Sequence, residues 1–206
     1  MKITGIVLAG GESLRMGQEK AFIMFEGESL VERSISLLNH FCDSIIISSN
    51  NRNLENLGYE IVEDEHPRIG PIAGLFAALK ASIHRRSIVI PCDTPFVPID
   101  VYEKLLQSSE THEAVVAGTE DNLIEPLIGV YHKSVVEILK KQIERGDYKL
   151  HNALKLAHAK VERFPDKALF TNINSPSDLW PLICPTWDAS YVREEILEKT
   201  ESLVYG

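Results

Sequence analysis

Residues 8 to 21, LAGGESLRMGQEKA, place three glycines and two cations, Arg15 and Lys20, directly after a short apolar run. Glycines let a backbone approach a ligand closely and turn several amides inward as an anion-binding nest. Over residues 10 to 20, Glu12 and Glu19 offset Arg15 and Lys20 to a formal sum of zero. Anion binding here would need the amides of Leu8, Ala9, Gly10 and Gly11 as well as the two side-chain cations. The two standard phosphate loops do not fit. After Gly11 the next glycine is Gly17, followed by Gln18 rather than Lys, so the P-loop spacing fails. Gly10 is followed by Gly11 and Glu12, which breaks the dinucleotide spacing G-x-G-x-x-G. A triphosphate held by such a loop requires a divalent cation, and that cation requires carboxylate oxygen. IVIPCDTPFVP offers Asp93, just past an apolar run and bracketed by prolines. Taken alone, the loop is equally a glycine-rich turn, and Asp93 is first of all a turn residue or helix cap.

These residues need a scaffold, and the hydrophobic pattern supplies one. Short β-branched runs at 2 to 9, 44 to 49, 59 to 63, 87 to 92, 113 to 118 and 126 to 131 predict strands. Helical spacing joins Val31, Ile35 and Leu38, then Ile72, Leu75, Phe76, Leu79 and Ile83, and later Val135, Leu139 and Ile143, as core-facing stripes. Strand alternating with helix predicts an α/β fold with a mostly parallel sheet and a ligand at the carboxyl ends of its strands. Near the C-terminus, Ser175 as N-cap, Pro176 at the first helical position and Asp178 three residues after the cap predict a helix start. Residues 183 to 190 read as a linker to an amphipathic segment over 189 to 204.

The 206 residues, 44% hydrophobic and 25% charged, suit one substantial core. A net charge of -9 gives no broad basic footprint for nucleic acid or an anionic membrane. No apolar stretch is long enough to span a bilayer or to form a secretory core, so a cytoplasmic protein is expected. Cys42, Cys92 and Cys184 are widely spaced and odd in number, which predicts reduced thiols. His151 and His158, seven apart on an expected helix, lack metal-ligand spacing.

In residue order, LAGGESLRMGQEKA resembles the L-A-G-G-x-S-x-R-M-G-x-D-K signature of molybdenum cofactor guanylyltransferases, the MobA family of nucleotidyltransferases. Glu19 stands where that signature has aspartate. PCDTPF is similar to the family's C-D-x-P-[FY] motif, whose aspartate binds magnesium. IVEDEHPRIGPIAG is similar to its V-x-D and G-P-L-A-G stretch beside the nucleotide. IIISSNNR resembles the strand ending in N-x-N, with Asn50 at the second asparagine and Ser48 replacing the first. EPLIGVY is similar to the [HQ]-P-L strand, and FTNINSP to the N-x-N-[ST]-P element on the acceptor side.

The resemblance spans residues 1 to 182 and leaves 183 to 206 uncovered. It implies a Rossmann-like, three-layer nucleotidyltransferase fold that joins GMP from GTP to the terminal phosphate of molybdopterin and releases pyrophosphate. It implies Arg15 and Lys20 on the phosphates, and Leu8, Ala9, Gly10, Gly11 and Asp64 at the nucleotide. Asp93 is implied to hold Mg²⁺, with Gly74 letting a helix start pack close. Asn172 and Asn174, two apart in extended chain, face one way and are implied to meet the acceptor. The implied partners are GTP and molybdopterin, with transient contact to molybdenum cofactor synthesis or acceptor proteins, and neither nucleic acid nor membrane. A transferase using CTP or another acceptor, and a nucleotide-binding adapter on the same fold, are the alternatives.

Overall fold

The computed structural model describes residues 2 to 10, 20 to 66 and 68 to 179. Its frame is a seven-stranded sheet in the order β5-β4-β1-β6-β8-β7-β9. These strands are β1 (Ile3–Leu8), β4 (Ser44–Ser48), β5 (Glu60–Val62), β6 (Arg86–Pro91), β7 (Ala114–Thr119), β8 (Ile124–His132) and β9 (Lys160–Phe164). Six run parallel to one another, and β8 alone is antiparallel to both of its neighbours. The small hairpin β2 (Met24–Phe25) and β3 (Glu28–Ser29) stands apart. Its turn is Glu26-Gly27, both at positive φ, as a two-residue hairpin loop requires.

The period of two in the strands sorts side chains into two cores. Val7, Ile45, Ile47, Ile88, Ile90, Val115 and Ala117 face α1 (Leu30–Leu38) and α3 (Ile99–Ser108). Ile6, Ile46, Val89, Ala114 and Val116 face α2 (Pro71–Ala81), α4 (Val135–Glu144) and α5 (Leu150–Leu156). The mostly parallel α/β sheet expected from alternation and the three layers implied by the resemblance are therefore present. Helix α1 starts at a capping box: the Ser29 amide donates to Glu32 Oε2 at 2.9 Å, and the Glu32 amide donates to Ser29 Oγ at 3.4 Å. Such a cap is worth about 1 kcal/mol.

Several sequence expectations change in detail. Helix α2 ends at Ala81, so Ile83 lies beyond the helix and is 73% exposed rather than core-facing. His158 lies past the end of α5 in a left-handed conformation, so the two histidines do not share a helix. Residues 176 to 179 form a 3-10 turn. There Asp178 Oδ2 accepts from the Ser175 amide at 2.9 Å, while the Ser175 hydroxyl pairs with Ser177 Oγ instead of capping an amide. Strand β9 and the hairpin lay outside the periodic pattern: KVERF is only partly buried, and two-residue strands are too short to show a period. Cys42 and Cys92 are free thiols. Arg15, Gly11, Cys184 and the segment 189 to 204 lie outside the described residues.

Candidate active site

Chain order places the site. From β1 the sheet grows outward through β4 and β5 on one side, and β6 then returns to pair with β1 on the other. The chain order reverses between β1 and β6, and an open α/β sheet presents its ligand crevice at such a switch point. Gly10 and Asp93 leave from these two strand ends. The Cys92 amide donates to Leu8 O at 3.1 Å, which ties the Asp93 turn to the end of β1.

Lys20 opens a 3-10 turn over Lys20–Phe22 and reaches across the crevice. Its Nζ lies 3.5 Å from Asp93 Oδ2 and donates to Asn174 Oδ1. The Ile173 amide donates to Asp93 O at 2.7 Å, so the segment holding the two asparagines is fixed to the Asp93 turn through its backbone. Ile173 is fully buried, and Asn172 and Asn174 are exposed on either side of it, as alternation in extended chain requires. Lys20, Asp93 and Asn174, 154 residues apart at the extremes, meet at one point.

A satellite core holds that meeting point together. Ile23, Phe25, Leu30, Ile173 and Leu179 pack as one buried cluster with Phe96 against it. Phe25 and Phe96 meet edge to face at 5.5 Å. Arg33 of α1 adds a polar clamp: its guanidinium sits 5.0 Å over the Phe25 ring, and its Nε donates to Pro95 O at 3.1 Å. The hairpin thus couples the Lys20 turn, the Asp93 turn and the asparagine segment. Neither Arg33 nor this cluster has a local signature, since the members are scattered from residue 23 to 179.

Across the crevice, Asp64 follows β5. Its amide donates to Asn50 Oδ1 at 2.9 Å, so Asn50 positions the Asp64 loop. Ser48 Oγ donates to Gly74 O at 3.3 Å. A Cβ at Gly74 would lie 2.8 Å from Ser48 Oγ and 3.1 Å from Asp64 Oδ1, so only glycine allows α2 this close to both. The Ala9 amide donates to Ser48 O at 3.0 Å, because β1 pairing with β4 extends one residue past the strand. That amide is not free for phosphate, whereas Gly10 is exposed.

The electrostatics are those of a partly dry, acidic cleft. Burial pushes the Asp93 carboxyl above its ordinary range, with the Lys20 charge opposing. Burial alone raises Asp64. Glu125, on β8, is raised by burial and by the negative charge of Asp93. Glu125 is therefore within electrostatic reach of the site, although its sequence context is mostly apolar. Burial pushes Cys92, next to Asp93, up to about 12, which leaves it an inert thiol. Among the described residues no three His, Cys, Asp or Glu side chains converge as a metal cage. No helix among them is long and apolar enough to cross a membrane.

Residues 5–161 match the family model described as the MobA-like NTP transferase domain. The chain is 32% identical to a probable molybdenum cofactor guanylyltransferase of Halalkalibacterium halodurans, over 85% of this chain and 94% of that protein. It is 32% identical to one of Clostridium perfringens, over 80% of this chain and 84% of the relative. The solved structure of molybdopterin-guanine dinucleotide biosynthesis protein A from Archaeoglobus fulgidus superimposes with a TM-score of 0.69 at 28% identity, covering 89% of this chain and all of that one. With most of its length matched by the family model, the chain belongs to the MobA-like NTP transferase domain family.

Proposed function

We propose that this protein transfers GMP from GTP to the terminal phosphate of molybdopterin, forming the guanine dinucleotide and releasing pyrophosphate. The convergence of Lys20, Asp93 and Asn174 at the switch point of the sheet carries this reading. The names of the similar proteins support it. Asp93 suits Mg²⁺, which takes one or two carboxylates plus phosphate oxygens rather than a cage of side chains. Bound Mg²⁺ would neutralise charge on the phosphates.

The residues themselves bind and orient. Displacement at the α-phosphate uses an acceptor phosphate that is already ionised, so no strong general base is needed and positioning dominates. Lys20, with Arg15 of the same loop, neutralises phosphate charge. Leu8, Gly10, Gly11 and Asp64 line the nucleotide side, and Asn172 and Asn174 the acceptor side. Residues 1 to 182 form the catalytic unit, the reaction takes place in the cytoplasm, and the product passes through transient contacts to acceptor proteins.

The decisive measurement is pyrophosphate release with molybdopterin as acceptor, run with GTP, CTP, ATP and UTP. Release with GTP and Mg²⁺ that depends on molybdopterin is expected. Preference for CTP would reassign the base, and nucleotide binding without release would make the chain an adapter. Thermal shifts screen the nucleotides first, since ligand at about 100 times Kd stabilises by about 2.7 kcal/mol.

A further inference from the structure

The antiparallel strand β8 carries an irregularity beside the site. Val116 of β7 faces Gly129, yet the next residue, Ala117, faces Glu125. One step on β7 corresponds to four on β8, so three extra residues, 126 to 128, are accommodated in the β8 backbone. Bulges of this kind gather near active sites, where they re-aim a side chain. The irregularity is held in place: the Tyr131 hydroxyl donates to Pro126 O, and Ile128 is buried. On its other edge, β8 pairs with β6 from Arg86↔His132 to Val89↔Gly129 and no further. Beyond that point β8 is released from β6, and Glu125 stands at the end of the sheet from which the Asp93 turn leaves.

Glu125 is half-buried, and among the described residues its carboxylate has neither a hydrogen bond nor an ion pair. Lys20 is engaged by Asp93 and Asn174 and does not contact Glu125. The antiparallel register that sets Val89 opposite Gly129 carries the Glu125 end of β8 past the end of β6 at Pro91, where the Asp93 turn begins. Two carboxylates held near one another in a partly dry cleft repel, and a divalent cation between them removes that cost.

Resting on the reading of Asp93 as a metal ligand, we propose that Glu125, re-aimed by the β8 irregularity, is the second protein carboxylate of the divalent cation site. Two hard oxygen donors from separate strands, with the remaining positions open to water and phosphate, match how such ions are held beside nucleotides.

The test uses the full chain, with Mn²⁺ alone as probe and unbound Mn²⁺ followed by electron paramagnetic resonance. E125Q keeps the shape of the side chain and removes its charge. It is expected to weaken Mn²⁺ binding about tenfold, to raise the Mg²⁺ concentration for half-maximal pyrophosphate release, and to leave the metal-free thermal midpoint no lower than that of the unaltered chain. E125D restores part of the affinity. Unchanged Mn²⁺ affinity in E125Q alongside a loss in D93N overturns the role of Glu125 and leaves Asp93 standing. Unchanged affinity in both variants overturns the metal site itself, and with it both readings.

Discussion

Lys20 Nζ stands 3.5 Å from Asp93 Oδ2 while donating to Asn174 Oδ1, so one ammonium joins the Asp93 turn to the asparagine segment. With Lys20 and Asp93 side chains only 28% and 24% exposed, the contact is partly shielded from water. On the proposed reading, Asp93 would hold a cation and Lys20 would be available to phosphate. Lys20→Ala and Asp93→Ala are each expected to lower turnover by about 10² or more, in the range of lost charge stabilisation elsewhere. Steady-state kinetics at saturating Mg²⁺ and GTP check this, and near-normal turnover in both variants would remove the site assignment.

Gly74→Ala separates packing from binding. In a helix interior, alanine is ordinarily favoured over glycine by about 1 kcal/mol. Here the added methyl would press on Ser48 Oγ and Asp64 Oδ1. The expected result is a KM for GTP raised about tenfold, the factor that 1.4 kcal/mol of lost binding represents, with turnover at saturation changed far less. A KM equal to that of the unaltered chain would mean that Asp64 does not touch the nucleotide.

Asp64→Asn makes a prediction in pH. Burial raises the folded-state pKa of Asp64 above its ordinary value of 3.8, so the native fold favours the protonated form. Well below 3.8 the carboxyl is neutral in both states, and the substitution has little effect. As pH rises through the folded-state pKa the charge becomes a cost that asparagine avoids. The variant is expected to be more stable than the unaltered chain at neutral pH, with the gap closing in acid, while its affinity for GTP falls. Urea denaturation at several pH values measures the gap, and a gap of the opposite sign would refute the assignment.

Ile173→Ala probes the satellite core. Ile173 is fully buried among Ile23, Phe25 and Leu30, and its amide holds Asp93 O. Truncation leaves a cavity costing about 2–5 kcal/mol. Because the cluster joins three parts of the site, turnover is expected to fall even at temperatures where the variant is fully folded. Kinetics at 10 °C beside a circular dichroism melt would detect this, and full activity in the folded variant would show that the cluster does not set the geometry.

The alternation of Val7, Ile45, Ile47 and Ile88 with Ile6, Ile46 and Val89 was legible because a strand buried on both faces must be apolar at nearly every position. The helix stripe at 72 to 79 was legible from its helical spacing, and Ile83 falls outside it because spacing alone does not show where a helix stops. Asp93, Lys20 and Asn174 were each marked by the family motifs they stand in, but nothing local showed that one ammonium would meet both of the other two.

What the sequence by itself determined is local: strand and helix periods, the glycine-rich turn after β1, the acid after β6, and the order of motifs that marks the family. Only the tertiary structure decided which of these meet. Crossing order in the sheet puts the end of β1 beside the end of β6, and a small aromatic core brings Ile173 beneath Asp93. A three-residue irregularity in β8 sets Glu125 opposite Ala117, a pairing that no local pattern announces. Each of these depends on backbone hydrogen bonds and packing between residues far apart in the chain, and periodicity within one segment carries no record of the neighbour it will find.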